Sequence, residues 1–462
     1  MTGNTPVIAH RVPTDRRQPR SGYRRLVLHA AEARALAAID EPELVASLVE
    51  LVRVPSVTGS DAESELQHRC SSLLANAGLD VDTWKLDLDE LTADEQFPGT
   101  ESPRHEGYGV VATTPGAGEP ALVLQGHVDV VPIGDPAKWA HHDPFAADIV
   151  GGTLHGRGAC DMKAGLAANF AVVAALRRAG IALVRPLALH CVISEEDGGL
   201  GAFATMRRGH RGDVAIISEP TSGRIVTANA GSLTFRLEVD GRAAHGSTRY
   251  EGVSAIEMFW PVHEAVVRLE ARRNEVADPR FAGYPVPYPI SIGTVHAGDW
   301  ASSVPDLLVA EGRLGVQLGE DPAVARAAFE EAVAAASAAT PWLRNHPVRV
   351  TWPGGMFASG QLPDGHELVG DVQHAVADVT GGEPPPTTAA PYGSDLRLYA
   401  GLGGIPTLHY GPGDVRFAHA PREQVDIAEV LDVARALTVL TLRRCGGYES
   451  GQQRLRREPP GR

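Results

Sequence analysis

Cysteine is scarce in this chain of 462 residues: Cys70, Cys160, Cys191 and Cys445, with no CxxC spacing among them. Four thiols so far apart exclude a disulfide scaffold and read as reduced cysteines of a cytoplasmic protein. Missing as well is any run approaching the ~20 apolar residues that a membrane span needs, so no membrane is expected as a partner. Positive charge is in deficit. Lys and Arg total 42 against 57 Asp and Glu, a net charge of −15, the opposite of the basic face that a nucleic-acid partner demands. No internal repeat or heptad pattern occurs. The arginine-rich N-terminus contains Arg16-Arg17, but Leu26-Val27-Leu28 runs straight into a charged helix and supplies no apolar export segment.

What the sequence does have is the length for two domains and an ordinary composition, 43% hydrophobic and 21% charged. Helical periodicity runs from Glu41 to Ala77, with Pro42 at its start. Ala121–Gly126, Pro186–Ser194 and Val214–Ser218 are short apolar runs that stop at polar residues, as strands buried on both faces do. A second long helix is expected from Met162 to Ala179. Alternation of strands and helices predicts an α/β fold, a mostly parallel mixed sheet flanked by helices. From Ala228 the pattern changes to that of a strand with one solvated face (Leu233–Val239). A helix follows at Val253–Arg273, then strands at Ile290–Val295 and Leu307–Val316, a helix at Pro322–Ala339 and a strand at Val348–Trp352. Four strands and two helices in this order predict a small α+β domain inserted into the larger one. The expected division is a disordered tail at 1–25, a first domain at 26–227, the inserted domain at 228–355, the first domain again at 356–446, and a second disordered tail at 447–462.

His127 and Asp129, Glu195-Glu196 and Glu219 fall at or just beyond the C-terminal ends of expected strands, where ligand sites form in open α/β sheets. In Gly126-His127-Val128-Asp129 the two polar side chains point to one side of an extended chain. Asp129 is therefore expected to accept a hydrogen bond from the far ring nitrogen of His127 and fix its tautomer. Asp161, in Gly156–Lys163, either caps the following helix or, in a glycine-rich turn that lets the backbone crowd a ligand, bridges two metals. Cys160 beside it is expected to be a small buried thiol. Ser194–Gly201 (SEEDGGLG) places three acids in a row at a buried strand end, an arrangement that repels itself unless cations compensate it. One glutamate there can bind metal while its neighbour acts as general base. Glu219 adds an acid after a strand, and His419 in Ala418–Pro421 adds the nitrogen donor that a second metal would lack. Two histidines and four carboxylates make a set for two divalent ions, an apparatus for hydrolysing amide and phosphate bonds.

The ordered series GHVDVVP, GRGACDMKAG, SEEDGGLG, SEPT, GRAAHGS, SVPD, GSDLR and GPG…AHAP resembles the M20 metallopeptidase family, in particular its acetylornithine deacetylase and succinyl-diaminopimelate desuccinylase group. The resemblance implies a zinc-exopeptidase-like catalytic domain interrupted by a lid that also forms a homodimer. It implies two zinc ions per chain, replaceable by cobalt or manganese, bridged by Asp161, with His127 and Glu219 on one ion and Glu196 and His419 on the other. Glu195 would be the general base, His245 in the lid would reach the partner subunit's site, and Arg397 would hold a substrate carboxylate. Ser303 stands where relatives often carry an asparagine before Val-Pro, and Leu154 where they often carry tyrosine. Both bear on the substrate, and Ser303 joins Arg397 as an expected substrate-binding residue. The insert Leu86–Tyr108 and Trp300 resemble deacylases that include deformylases of aminopyrimidines. The implied activity is hydrolysis of the amide bond in a small N-acylated amino acid or related N-acyl amine. A dipeptidase or carboxypeptidase is the alternative, and an aminopyrimidine deformylase another. A catalytically dead binding protein is the reading from a different class, and the intact Glu195 weighs against it.

Overall fold

The computed structural model describes residues 28–139 and 143–449. Both tails expected to be disordered fall largely outside that range. The exception is Gly447–Glu449, which pairs as a strand with Ile181–Leu183 and so does not belong to a disordered tail.

A nine-stranded mixed sheet forms the larger layer. At its centre Leu187–Val192, Leu122–His127, Ala215–Ile217 and Thr407–His409 run side by side and parallel. Antiparallel strands flank both sides, Asp80–Lys85 and Tyr108–Thr113 at one, Ile225–Asn229 and Gly360–Gln361 at the other, and Thr387–Ala390 pairs in parallel with Ile225–Asn229 as the ninth. Every residue of Leu122–His127 and Leu187–Val192 is buried, which is why these strands read as unbroken apolar runs rather than alternating ones. The helices Glu41–Arg53, Asp61–Asn76, Ala164–Arg178 and Ile427–Cys445 contribute their apolar faces to the core of this layer. The segment Ala159–Arg178 is apolar and long enough to cross a bilayer by length and composition, contrary to the expectation from sequence. It is 83% buried within the fold, and that burial accounts for its hydropathy.

Two expected helices differ in their bounds. The periodicity from Glu41 to Ala77 is broken into two helices, because Pro55 removes a backbone donor and Gly59 takes a positive φ in the connecting turn. The helix expected from Met162 begins at Ala164, behind a wide turn in which Asp161 and Met162 are non-helical.

Gly231–Asp240, Ile290–Ala297, Leu307–Val316 and Arg349–Thr351 form a separate antiparallel sheet, joined by a short fifth strand, Met356–Phe357. Gly231–Asp240 alternates buried and half-exposed residues along its whole length. Its buried face packs on the helices Ala255–Arg273 and Pro322–Ala339 in a hydrophobic core of its own, where the rings of Phe235 and Phe329 lie 4.4 Å apart.

Candidate functional site

Three neighbouring parallel strands deliver the acidic site. His127 ends one, Glu195 and Glu196 follow Leu187–Val192, and Glu219 follows Ala215–Ile217. All three ends open on the same edge of the sheet, as carboxyl ends of adjacent parallel strands must.

Asp161 stands between the two histidines. One of its carboxylate oxygens lies 3.2 Å from His127 Nε2 and the other 3.4 Å from His419 Nε2. Glu219 lies 3.9 Å from His127 Nε2, and Glu196 lies 3.0 Å from His419 Nε2. His127, Asp161 and Glu196 converge their ligand atoms to within 4.8 Å of one another, and so do His127, Glu195 and Glu219. Asp161 does not cap the following helix, whose N-cap is Lys163. Its backbone N–H, together with that of Cys160, is instead taken by the buried carboxylate of Glu423, itself held by Arg157 at 2.5 Å. Glu423 is four residues beyond His419, so it joins the two segments that carry Asp161 and His419. The Cys160 thiol faces the carbonyl of Asp414, and burial pushes its pKa well up, which keeps it a thiol.

His127 Nδ1 donates to the backbone carbonyl of Asp129 at 2.9 Å, while the Asp129 carboxylate is 3.6 Å away. The expected histidine–aspartate contact is therefore made through the main chain. A carbonyl oxygen only accepts, so Nδ1 carries the proton and Nε2 is left to face the cluster. The Asp129 carboxylate is occupied elsewhere. It accepts the N–H groups of Glu195 (3.2 Å) and Glu196 (3.3 Å) and the Thr58 hydroxyl (2.9 Å). Glu63 grips the same corner, accepting the Ser194 N–H at 3.0 Å.

The electrostatics of this cluster call for cations. Burial and the charges of neighbouring acids push Glu195 and Glu219 well above the usual carboxylate range. Burial would lower His127, but the hydrogen bond to Asp161 and the nearby acids outweigh it and hold it well up. The charge of Glu196 raises His419 to about 11. Without metal, the cluster balances its charge only by holding protons. Divalent cations on imidazole nitrogen and carboxylate oxygen would do the same, and those donors suit them. The residues present fit a metal centre.

The cavity over this cluster has a volume of about 330 Å³. Beside Asp161, Glu195, Glu196, Glu219 and His419 its walls include Arg313, Tyr392 and Val286. Arg397 and Ser303 are not among its lining residues. The Arg397 guanidinium spends two donors on the carbonyls of Ser394 (2.8 Å) and Gly198 (2.7 Å) and lies over the ring of Phe357. The arginine at the cavity is Arg313, which donates to Ser232 Oγ and the Pro391 carbonyl. Its place in the largely apolar strand Leu307–Val316, two residues after Glu311, gives little in the sequence to single it out. His245 lies exposed in the second sheet region, paired across strands with Ser303 and outside the cavity of its own chain. Its Nδ1 accepts the Ser247 N–H, which leaves the proton on Nε2.

Residues 123–443 match the family described as Peptidase family M20/M25/M40. The acetylornithine deacetylase of Erwinia tasmaniensis is 29% identical over 400 residues, covering 84% of this chain and 94% of that protein. An N-formyl-4-amino-5-aminomethyl-2-methylpyrimidine deformylase of Halalkalibacterium halodurans is 26% identical over 437 residues, 88% of this chain and 95% of its own. In fold, a dipeptidase of Saccharomyces cerevisiae superposes with a TM-score of 0.72 at 14% identity, covering 90% of this chain and 98% of the other. With the matched region spanning the acidic strand ends, the second sheet and all but two strands at one edge of the larger sheet, the chain belongs to peptidase family M20/M25/M40.

Proposed function

We propose that this M20 hydrolase, a metal-dependent amidohydrolase, uses two zinc ions to cleave the amide of a small N-acylated amino acid. The observation that carries the two-ion reading is Asp161, whose two oxygens face two different histidines. His127, Glu219 and Asp161 would hold one ion; Glu196, His419 and Asp161 the other. Bound there, the metals supply Lewis acidity and a water of lowered pKa. Glu195, beside the cluster and starved of solvent, takes the proton of the attacking water and returns it to the departing amine. Asp129 holds the backbone of Glu195, and Glu63 that of Ser194 before it, in place for that work. The proton on His245 Nε2 suits a donor to the developing oxyanion.

The domain division at about 228 and 355 is part of the same reading, with the inserted domain as lid and dimer surface. Its support is an apolar exterior. Ile256, Trp260 and Val267 are exposed on the helix Ala255–Arg273, Val295 on the edge strand, and Tyr250 and Trp300 elsewhere in the same domain, apolar surface of the kind that interfaces use. A homodimer through this face would bring His245 of the partner subunit to each site. A cytoplasmic setting fits the four free, buried thiols.

Arg313 favours a carboxylate-bearing substrate over a neutral formylated pyrimidine. Screening N-acyl amino acids, dipeptides and N-formyl amines for amine release with the zinc-loaded enzyme tests this. Arg313→Met should raise KM for carboxylate substrates by about tenfold or more, the value of one charge-assisted hydrogen bond, while Arg397→Met should act chiefly on stability. Turnover of neutral formyl amines alone, unchanged in Arg313→Met, would overturn the substrate assignment.

A further inference from the structure

The loop that carries Glu195 is fastened from outside by Pro98–Arg104, part of the insert Leu86–Tyr108. Asp197, buried two residues after Glu195, accepts three hydrogen bonds from this segment on one oxygen: the Thr100 hydroxyl (2.7 Å), Glu101 N–H (3.2 Å) and Ser102 N–H (2.8 Å). Its other oxygen takes the Ser194 hydroxyl. Ser194 itself has a φ of 58°, a left-handed conformation that a serine holds only when its surroundings impose it. Arg104 from the same insert donates at 2.7 Å to Glu63, which accepts the Ser194 N–H.

The far side of the segment is tied to the second sheet. The Thr234 hydroxyl on Gly231–Asp240 donates to Glu101 at 2.5 Å, and Met356 N–H donates to the Pro98 carbonyl at 2.6 Å. Three bare backbones meet at this junction. A Cβ at Gly198 would collide with the Gly99 carbonyl, and one at Gly355 with the Asp197 carbonyl. The acidic loop, the insert and the segment returning from the second sheet are thus in direct contact, with no side chain between them.

We propose that Pro98–Ser102 is a strap that transmits the position of the inserted domain to the general base, with Glu101 and Asp197 as its positioning residues. Through Thr234, Glu101 and Asp197 in turn, a shift of the second sheet moves the Ser194–Glu195 corner. The corner is set for proton transfer only when the second sheet is seated. This rests on Glu195 being the base, as proposed above.

The test cuts the strap at its outer end, away from the acidic loop, in Glu101→Ala and in Thr234→Val. Each is expected to lower kcat about tenfold, the scale on which small misplacements of a reacting group act, with KM and metal content unchanged. The double variant should be no worse than Glu101→Ala alone, because that substitution already removes the contact to Thr234. Hydrogen–deuterium exchange on the metal-free protein supplies a readout independent of turnover. Amides of 194–200 should exchange faster in both variants, while those of Leu122–His127 keep the wild-type rate. Unchanged kcat in both variants overturns the strap, and so does faster exchange spread evenly over the sheet with a lowered Tm. If Glu195→Gln proves fully active, the base assignment fails; faster exchange confined to 194–200 would still show the mechanical link.

Discussion

Asp161, half-buried, and Glu195, buried, both stand among like charges, yet their surroundings drive them apart. Burial alone would raise Asp161, but hydrogen bonds to His127 and His419 outweigh it and keep its carboxyl well below the usual range. Glu195 has burial, Glu219 and Asp395 all acting to raise it. Such divergence suits a group that stays ionised as a ligand and one that accepts and returns a proton, while Glu219, raised like Glu195, is proposed as a ligand on its approach to His127 Nε2 at 3.9 Å. Glu195→Gln should therefore lower kcat by about 10²–10⁴-fold, the usual contribution of a general base, with two metal equivalents retained by elemental analysis. Loss of one equivalent would make Glu195 a ligand, a role that its convergence with His127 and Glu219 also permits. Asp161→Ala is expected to release both ions, since its two oxygens face the two histidines; loss of one only would undo the bridging assignment.

At the scale of elements, the sequence is most legible where burial is uniform. The apolar runs before His127, Glu195 and Glu219 are strands because both faces of the sheet are covered. What was not legible depends on contacts distant in sequence. Nothing near Asp161 announces that Glu423, 262 residues on, will take its backbone N–H and leave the carboxylate free of capping. Nor does Arg397 announce that Gly198 and Ser394 will consume its donors, whereas Arg313 reaches the cavity only because its strand packs beside it. The uniformly buried strands carry a liability that can be measured. His190 and His409 sit on two of them, and burial lowers each to about 3, against about 6.5 for an unfolded histidine. The unfolded chain therefore binds protons that the folded chain refuses between those values. The stability this represents is intact above about pH 6.5 and is lost as pH falls towards 3. At pH 5 the loss is about 2 kcal/mol per histidine. In urea unfolding of the metal-free protein, His409→Gln should be closer to wild type in stability at pH 5 than at pH 7.5 by about that amount. An equal gap at both pH values would show that His409 titrates normally in the fold.

At the scale of the molecule, the two largest hydrophobic clusters among the described residues differ in kind. The larger sheet packs against helices and ends at the acidic cluster. The smaller one packs its helices inward on Phe235 and Phe329 yet leaves Trp260, Ile256 and Trp300 exposed. Surface of that kind is accounted for if a second copy covers it, and a two-fold dimer would present the same residue to both sites. His245 is the candidate for such an exchange: it does not line the cavity of its own chain, and its Nδ1 accepts the Ser247 N–H, which leaves the proton on Nε2. Mixing His245→Ala chains with Glu195→Gln chains decides whether it acts across the interface. Each parent should be nearly inactive. With free subunit exchange, about half of the dimers are mixed, and each mixed dimer holds one site with an intact Glu195 and a His245 donated by the other chain. Activity should then recover to about a quarter of wild type, one good site in two for half of the dimers. A mixture that stays inactive despite exchange demonstrated by mass labelling would confine His245 to its own chain.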